Sequence, residues 1–213
     1  MSDRTYCYPG TNLLKNIPGI TDPQELFWAE AEFTSERLLE LQKQPMKGRF
    51  DFRHLCNIHK YIFQDIYSWA GKPRTVNIGK GNLFCLPEHI QSFSDDVFRN
   101  FAKDCYAAKD DKDQFISILA EHYGDMNALH PFREGNGRAQ REFTRELCEH
   151  CGYDFDLSCT THQEMLEASI ASFNDGDSSL LEGIFHRVVG SLPPDGAGAG
   201  NRNAEMEVTI WET

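Results

Sequence analysis

Apolar residues recur along most of this chain at spacings of three and four, the signature of helices that bury one face. After a leader punctuated by Pro9-Gly10 and Pro18-Gly19, a helix is predicted to open at Thr21 or Asp22, with Pro23 in its first turn and Leu26, Phe33, Leu38 and Leu41 inward. A second runs from about Asp51 to Trp69 through Phe52, Leu55, Ile58, Ile62, Phe63 and Ile66. A third, from Pro87 to Cys105, carries Ile90, Phe93, Val97 and Phe101. Asp111 with Gln114 resembles a capping box that opens a fourth, with Phe115, Ile118, Leu119, Tyr123, Met126 and Leu129 on one face. Another helix follows Gly137, with Ala139, Phe143 and Leu147 inward and Gly152 as its cap. The last spans about Ser179 to Val189, where Ser179-x-x-Glu182 reads as a capping box.

The period changes in one place. Arg74–Ile78 and Asn82–Leu86 read as short extended segments joined by Gly79-Lys80-Gly81, a hairpin signal. The expected fold is therefore all-α, a helical bundle with one short β-hairpin.

Composition narrows the class. The 213 residues are 40% hydrophobic and 25% charged, a soluble globular balance with enough chain to bury a core. A net charge of −12 argues against a broad nucleic-acid footprint while leaving room for a local basic pocket. No apolar run approaches the roughly 18 residues of a membrane span, and Met-Ser-Asp-Arg lacks a signal-peptide pattern, so the expected location is cytoplasmic. The seven cysteines are an odd set, mostly within helical patterns, and are expected to be reduced thiols. Cys148-x-x-Cys151 with Cys159-x-x-His162 invites a zinc reading, but seven residues separate the pairs and the first ends a helix, so packing thiols are expected. His54 and His59 lack a second metal-type residue one turn on. Gly196-Ala-Gly-Ala-Gly200 is no dinucleotide fingerprint, since no strand precedes it and no helix follows, and residues 191–213 read as a flexible tail.

The densest chemistry lies in His130-Pro-Phe-Arg-Glu-Gly-Asn-Gly-Arg-Ala-Gln-Arg141. Gly135-Asn136-Gly137 stands at a helix entrance, where unpaired N–H groups and the helix dipole favour an anion. Arg138 and Arg141, three apart on the first turn, can reach successive phosphates. Glu134 is a hard oxygen ligand suited to Mg²⁺. His130 is the nearby group that titrates around neutrality, a natural general base. Taken singly, each feature also has an ordinary structural reading as turn, core histidine or solvated helix face.

The stretch resembles the signature of the Fic (filamentation induced by cyclic AMP) family, His-x-Phe-x-(Asp/Glu)-Gly-Asn-Gly-Arg-x-x-Arg, at every specified position. Residues 6–20 resemble, more weakly, the Tyr-Pro-Gly-Thr leader of Fic toxins and effectors. The resemblance implies a Fic-type bundle over residues 1–190, with its core at about 51–190. It implies transfer of AMP from ATP to a Tyr, Thr or Ser hydroxyl of a target protein, with ATP and Mg²⁺ bound. By the same resemblance His130 would be the base, Phe132 a buried anchor and Glu134 the Mg²⁺ ligand. Gly135, Asn136 and Gly137 would form the anion loop, with Asn136 orienting a phosphate through its amide, and Arg138 and Arg141 would hold the β- and γ-phosphates. Doc-related kinases carry Ala and Lys in place of Gly135 and Gly137, so the intact loop favours nucleotidyl transfer. The flap at Ile78, Gly79, Lys80, Gly81 and Asn82 would dock the target as an added strand. Alternatives are another donor (UTP, GTP, or phosphoryl or phosphocholine transfer) or a non-catalytic nucleotide-binding module.

Fic proteins are commonly silenced by a helix bearing Ser/Thr-x-x-x-Glu-Gly/Asn. Ser178-x-x-x-Glu182-Gly183 fits as a string but opens the last core helix, and Thr21-x-x-x-Glu25 is followed by Leu26. The resemblance then implies a toxin-like member restrained by a separate small antitoxin. Its target, a topoisomerase subunit or a small GTPase by analogy, is not specified by the chain, and neither is delivery into a host cell.

Overall fold

The computed structural model describes residues 4–80 and 82–192, without the side chain of Lys80. The tail from 193 onward and Gly81 at the flap tip lie outside the described residues. The fold is the helical bundle with a short hairpin that the hydrophobic pattern predicts. In chain order it runs α1 (Pro23–Lys43), α2 (Phe52–Phe63), β1 (Gly79–Lys80), β2 (Asn82–Leu83), α3 (Ile90–Phe98) and α4 (Phe101–Ala107). It continues with α5 (Lys112–Leu129), α6 (Asn136–His150), β3 (Tyr153–Phe155), α7 (His162–Asp175), α8 (Ser179–Val188) and β4 (Val189–Ser191).

At the centre lies α5, whose Phe115, Ile116, Leu119, Ala120, Met126 and Leu129 are fully buried. It packs against α3, α4, α6, α7 and α8, while α2 packs against α6 and α1 against α2. The packing around α6 is aromatic: its Phe143 meets Phe50, just before α2, Phe98 of α3 and Phe101 of α4 with ring centroids 5.8, 5.5 and 5.7 Å away. Each such buried ring contributes about 1.5–3 kcal/mol of transfer free energy, which fixes α6, and hence its N-terminus, against the bundle.

Local signals set the helix starts. Asp22 caps α1 by accepting the Glu25 N–H (2.9 Å), with Pro23 in the first turn, and Asp111 caps α5 by accepting the Gln114 N–H (3.1 Å). Other expectations need correction. Helix α2 stops at Phe63 and not near Trp69, because residues 64–71 turn so that Ile66, Tyr67 and Trp69 can enter the core. The segment from Pro87 to Cys105 is two α-helices after a 3-10 turn, broken at Arg99-Asn100, which brings both Phe98 and Phe101 to Phe143. Ser179 makes no capping box: the N-cap of α8 is Ser178, and the Ser179 N–H is held by Asp177 (2.9 Å).

Two elements have no counterpart in the sequence reading. Strands β3 and β4 pair antiparallel, with Asp154 opposite Gly190, and close the bundle behind α6. Helix α7 carries the full capping box of Thr161 and Glu164. The seven cysteines are all free thiols. Cys148 and Cys151 are buried, whereas Cys159 is exposed, and among the described residues no group of three or more His, Cys, Asp or Glu side chains is arranged to hold a metal. Among these residues no helix is long and apolar enough to cross a membrane.

Candidate active site

Residues 130–137 connect the buried end of α5 to the start of α6. The turn is tight because His130, the residue after α5, adopts the left-handed conformation (φ 41°) and Gly135, the N-cap of α6, does the same (φ 80°). A Cβ on Gly135 would lie 2.1 Å from the Phe63 ring, so glycine is required there twice over, by conformation and by space.

The loop is rigidified from within and from below. Asn136 bonds both faces of its amide to Phe132, accepting from the N–H and donating to the carbonyl at 2.8 Å each. The amide expected to orient a phosphate thus also closes the loop on itself, with one Nδ2–H committed to the Phe132 carbonyl. Phe132 is fully buried and stacks on His59 at 3.8 Å. Burial pushes the His59 imidazole down to about 3, so it is neutral. Its Nδ1 accepts the Gly71 N–H (2.9 Å), which leaves Nε2–H to donate to the Glu134 carbonyl (2.9 Å). His59 is a strut under the loop, and His54 pairs in the core with Glu146 (2.8 Å). Neither sits in a metal site.

On the upper side the N–H groups of Asn136, Gly137 and Arg138 precede the hydrogen-bond ladder of α6, in which Ala139 N–H donates to Gly135 O (3.2 Å). This is an anion-binding helix start. Arg141 lies over Gly137, close enough that a Cβ there would come within 2.9 Å of its Nη1. Burial lowers the proton affinity of the Arg141 guanidinium, and Tyr123 acts in the opposite direction. The Glu134 carboxyl is pushed above the ordinary range by burial and then by the Glu30 carboxylate, against the pull of Arg138 and of the Gly135 N–H (2.8 Å). A carboxylate strained in this way favours a nearby cation. With a single such ligand from the loop, Mg²⁺ would complete its shell from phosphate oxygens and water.

His130 Nδ1 lies 3.2 Å from the Asn127 carbonyl. A carbonyl only accepts, so this contact puts the proton on Nδ1 and the lone pair on Nε2, as a general base needs. Its backbone is clamped by Arg74, which sequence reasoning missed. Arg74 is 2% exposed, and its Nε donates to His130 O (2.9 Å) while its N–H donates to Pro131 O (2.8 Å). Nη1 and Nη2 donate to the carbonyls of Val76 and Cys85, on either leg of the flap.

The flap forms where expected, but shorter. Gly79 pairs with Leu83 and Lys80 with Asn82, so Gly79 and Lys80 are strand and not turn. Its unforeseen residue is Phe84, whose ring stacks on the His130 imidazole at 3.8 Å and leans on Phe173 at 5.0 Å. Between flap, loop and α7 opens a cleft of about 150 Å³, continuous with solvent, lined by His130, Gly137, Arg138 and Arg141 on one side and Met165, Ile170 and Phe173 on the other. Glu182 takes no part in that lining and faces His186 (3.9 Å). A second shallow depression, around Gly48, Arg53 and Asn57, lies away from this chemistry.

A helix start whose free N–H groups suit an anion, two guanidiniums and a backbone-clamped imidazole therefore share one cleft, with the shifted Glu134 carboxyl 3.8 Å from Arg138. The chain belongs to the Fic/DOC family, which it matches over residues 49–148. It is 37% identical over 185 residues to the probable protein adenylyltransferase y4lH of Sinorhizobium fredii, covering 86% of this chain and 94% of that one. It is equally identical over 187 residues to protein adenylyltransferase VbhT of Bartonella schoenbuchensis, covering 87% of this chain but only 39% of VbhT. A solved Fic domain of a VirB-translocated Bep effector from Bartonella quintana, with bound ADP, superposes with a TM-score of 0.83 at 26% identity, covering 90% and 97% of the two chains.

Proposed function

We propose that this chain is a protein adenylyltransferase that transfers AMP from ATP to a Tyr, Thr or Ser hydroxyl of a target protein and releases pyrophosphate. The observation that carries the reading is His130, its lone pair on Nε2 and its backbone clamped, beside the unladdered N–H groups of α6. Kinship with proteins named adenylyltransferases and the ADP-bound Fic neighbour support the nucleotide.

In this mechanism His130 Nε2 takes the proton of the target hydroxyl as its oxygen attacks the α-phosphorus in line. The N–H groups of Asn136, Gly137 and Arg138 hold phosphate oxygens at the helix start, while Arg138 and Arg141 hold the β- and γ-phosphates and stabilise the departing pyrophosphate. Glu134 would hold Mg²⁺, which would supply neutralisation of phosphate charge. The flap from Ile78 to Asn82 receives the target as an added strand, and Asn82 and Leu83 are exposed there. We take residues 1–190 as the catalytic domain and the remainder as a tail. Control by a separate antitoxin is consistent with Glu182 standing apart from the cleft.

The test is label transfer in bacterial lysate with Mg²⁺, from ATP labelled at the α- or the γ-phosphate. The α-label should appear on protein and the γ-label should not. His130→Ala should lower transfer about 10²–10⁴-fold with an unchanged melting temperature, and should relieve any growth arrest caused by the wild type. Transfer from the γ-position, or transfer untouched by His130→Ala, would refute the mechanism.

A further inference from the structure

Helix α1 precedes the residues that match the family, yet it delivers two side chains to Arg138, which lines the cleft. Arg138 Nη2 donates to Glu30 Oε1 (2.5 Å) and Nη1 to Thr34 Oγ1 (3.3 Å), one helical turn apart on α1. The guanidinium also lies 4.7 Å from the centroid of the Phe63 ring. Glu30 is itself fixed: its second oxygen, Oε2, accepts the Tyr67 hydroxyl. Burial and then the Glu30 charge hold the Tyr67 phenol well above its ordinary range, so it remains a donor.

We propose that Glu30 is a positioning residue for nucleotide binding: it sets the plane of the Arg138 guanidinium, so that the remaining N–H groups meet the outer phosphates in a fixed orientation. The inference rests on the reading above that Arg138 holds those phosphates. The alternative is a latch, in which Glu30 occupies Arg138 until ATP displaces it. The geometry opposes that. A latch must swing, whereas Glu30 lies inside a 21-residue helix, its side chain is 16% exposed and both its oxygens are engaged. Two of the five guanidinium donors are committed to α1, which leaves the others for phosphate. A guanidinium fixed before binding loses less side-chain freedom when the ligand arrives. With Glu134 at 3.8 Å from Arg138 as well, two carboxylates flank one arginine, and the pair with Glu30 is the shorter.

The experiment is calorimetric titration of the whole chain with ATP and, separately, AMP at fixed Mg²⁺, for wild type, Glu30→Gln, Glu30→Ala and Tyr67→Phe. Arg138 is assigned to the outer phosphates, which AMP lacks, so the ratio of the two affinities reads its placement directly. Glu30→Ala should weaken ATP about tenfold, the scale of one charge-assisted hydrogen bond, and leave AMP within about twofold. Glu30→Gln, which keeps the shape and an accepting oxygen, should recover part of the loss, and Tyr67→Phe should shift ATP in the same direction by less. An unchanged ratio in Glu30→Ala, an equal loss for both ligands, or tighter ATP binding would each overturn the proposal, the last in favour of a latch. Wild-type protein that binds ATP no better than AMP would remove the assignment of Arg138 and the inference with it, without touching the role of His130.

Discussion

The loop from His130 to Gly137 and the flap from Ile78 to Phe84 face the same cleft and are held in opposite ways. The loop is fastened at nearly every residue: Phe132 is buried on His59, Asn136 is bonded twice to Phe132, Gly135 is fitted against Phe63 and His130 is clamped by Arg74. The flap has two residues per strand, an exposed Asn82 and an Leu83 that is 59% exposed. What it has instead is a secure base, since the Cys85 N–H donates to Ala128 O (3.2 Å) and Arg74 holds both legs. The contrast fits the roles proposed for each. Phosphate stabilisation is electrostatic and needs dipoles fixed beforehand, whereas a surface that adds a target strand needs open backbone N–H and C=O groups.

The sharpest way to break the comparison is at Gly135. An Ala there meets the Phe63 ring and a positive φ together. Overpacking and left-handed strain combined should cost about 3 kcal/mol of stability, with AMP transfer falling more than about 100-fold as the loop shifts. Denaturant melts and label transfer check both. A Gly135→Ala protein of wild-type stability would mean that the loop is far looser than its contacts indicate.

That prediction also marks where the sequence was readable. The loop's chemistry is local: glycines, guanidiniums, carboxylate and imidazole fall within twelve consecutive positions, so their types and spacing reveal the anion site. What holds the loop is not local. His59, Phe63 and Arg74 come from more than 50 residues upstream and Glu30 from about 100, and nothing in their neighbourhoods distinguishes a strut from an ordinary core or surface residue. The loop-closing bonds of Asn136 are hidden for the same reason, because an amide that orients a phosphate and an amide that closes a turn look identical along the chain. Helix α7 was within reach: Thr161 and Glu164 are a capping box by spacing, and Met165, Ala168 and Phe173 lie on a helical period. The third helix was predicted as one because its apolar period runs through Arg99-Asn100 without interruption, and only the need to seat Phe98 and Phe101 around Phe143 breaks it.

Arg74 joins the two regions, so removing it should affect both. Burial lowers the proton affinity of its guanidinium, which donates to the backbone carbonyls of His130, Val76 and Cys85. Arg74→Ala leaves three buried acceptors without a charged donor, which should cost about 2 kcal/mol. As the His130 backbone relaxes, transfer should fall about 10- to 100-fold. Arg74→Lys, a point charge without the fork, should recover stability better than activity. Nucleotide affinity should hardly move, since Arg74 touches neither Arg138 nor the start of α6. A parallel loss of ATP binding would show that loop and flap are one mechanical unit.

The smallest effect is expected at the flap tip, where Asn82 Nδ2 donates to Asn174 Oδ1 at 2.7 Å. Both side chains are exposed, so the bond replaces water on each, and Asn82→Ala should change stability by less than about 0.5 kcal/mol. Its consequence lies in the flap's freedom. The bond ties β2 to the end of α7, while Phe84 one strand residue further on remains stacked on His130 and packed on Phe173. Cutting the outer tie should leave that inner contact in place. Transfer at saturating target should therefore stay within about twofold of wild type, and the target KM should change more than kcat, because the altered surface is the one proposed to receive the added strand. A fall in kcat larger than the change in KM would place the tie in the alignment of His130. The flap tip would then belong, mechanically, to the loop.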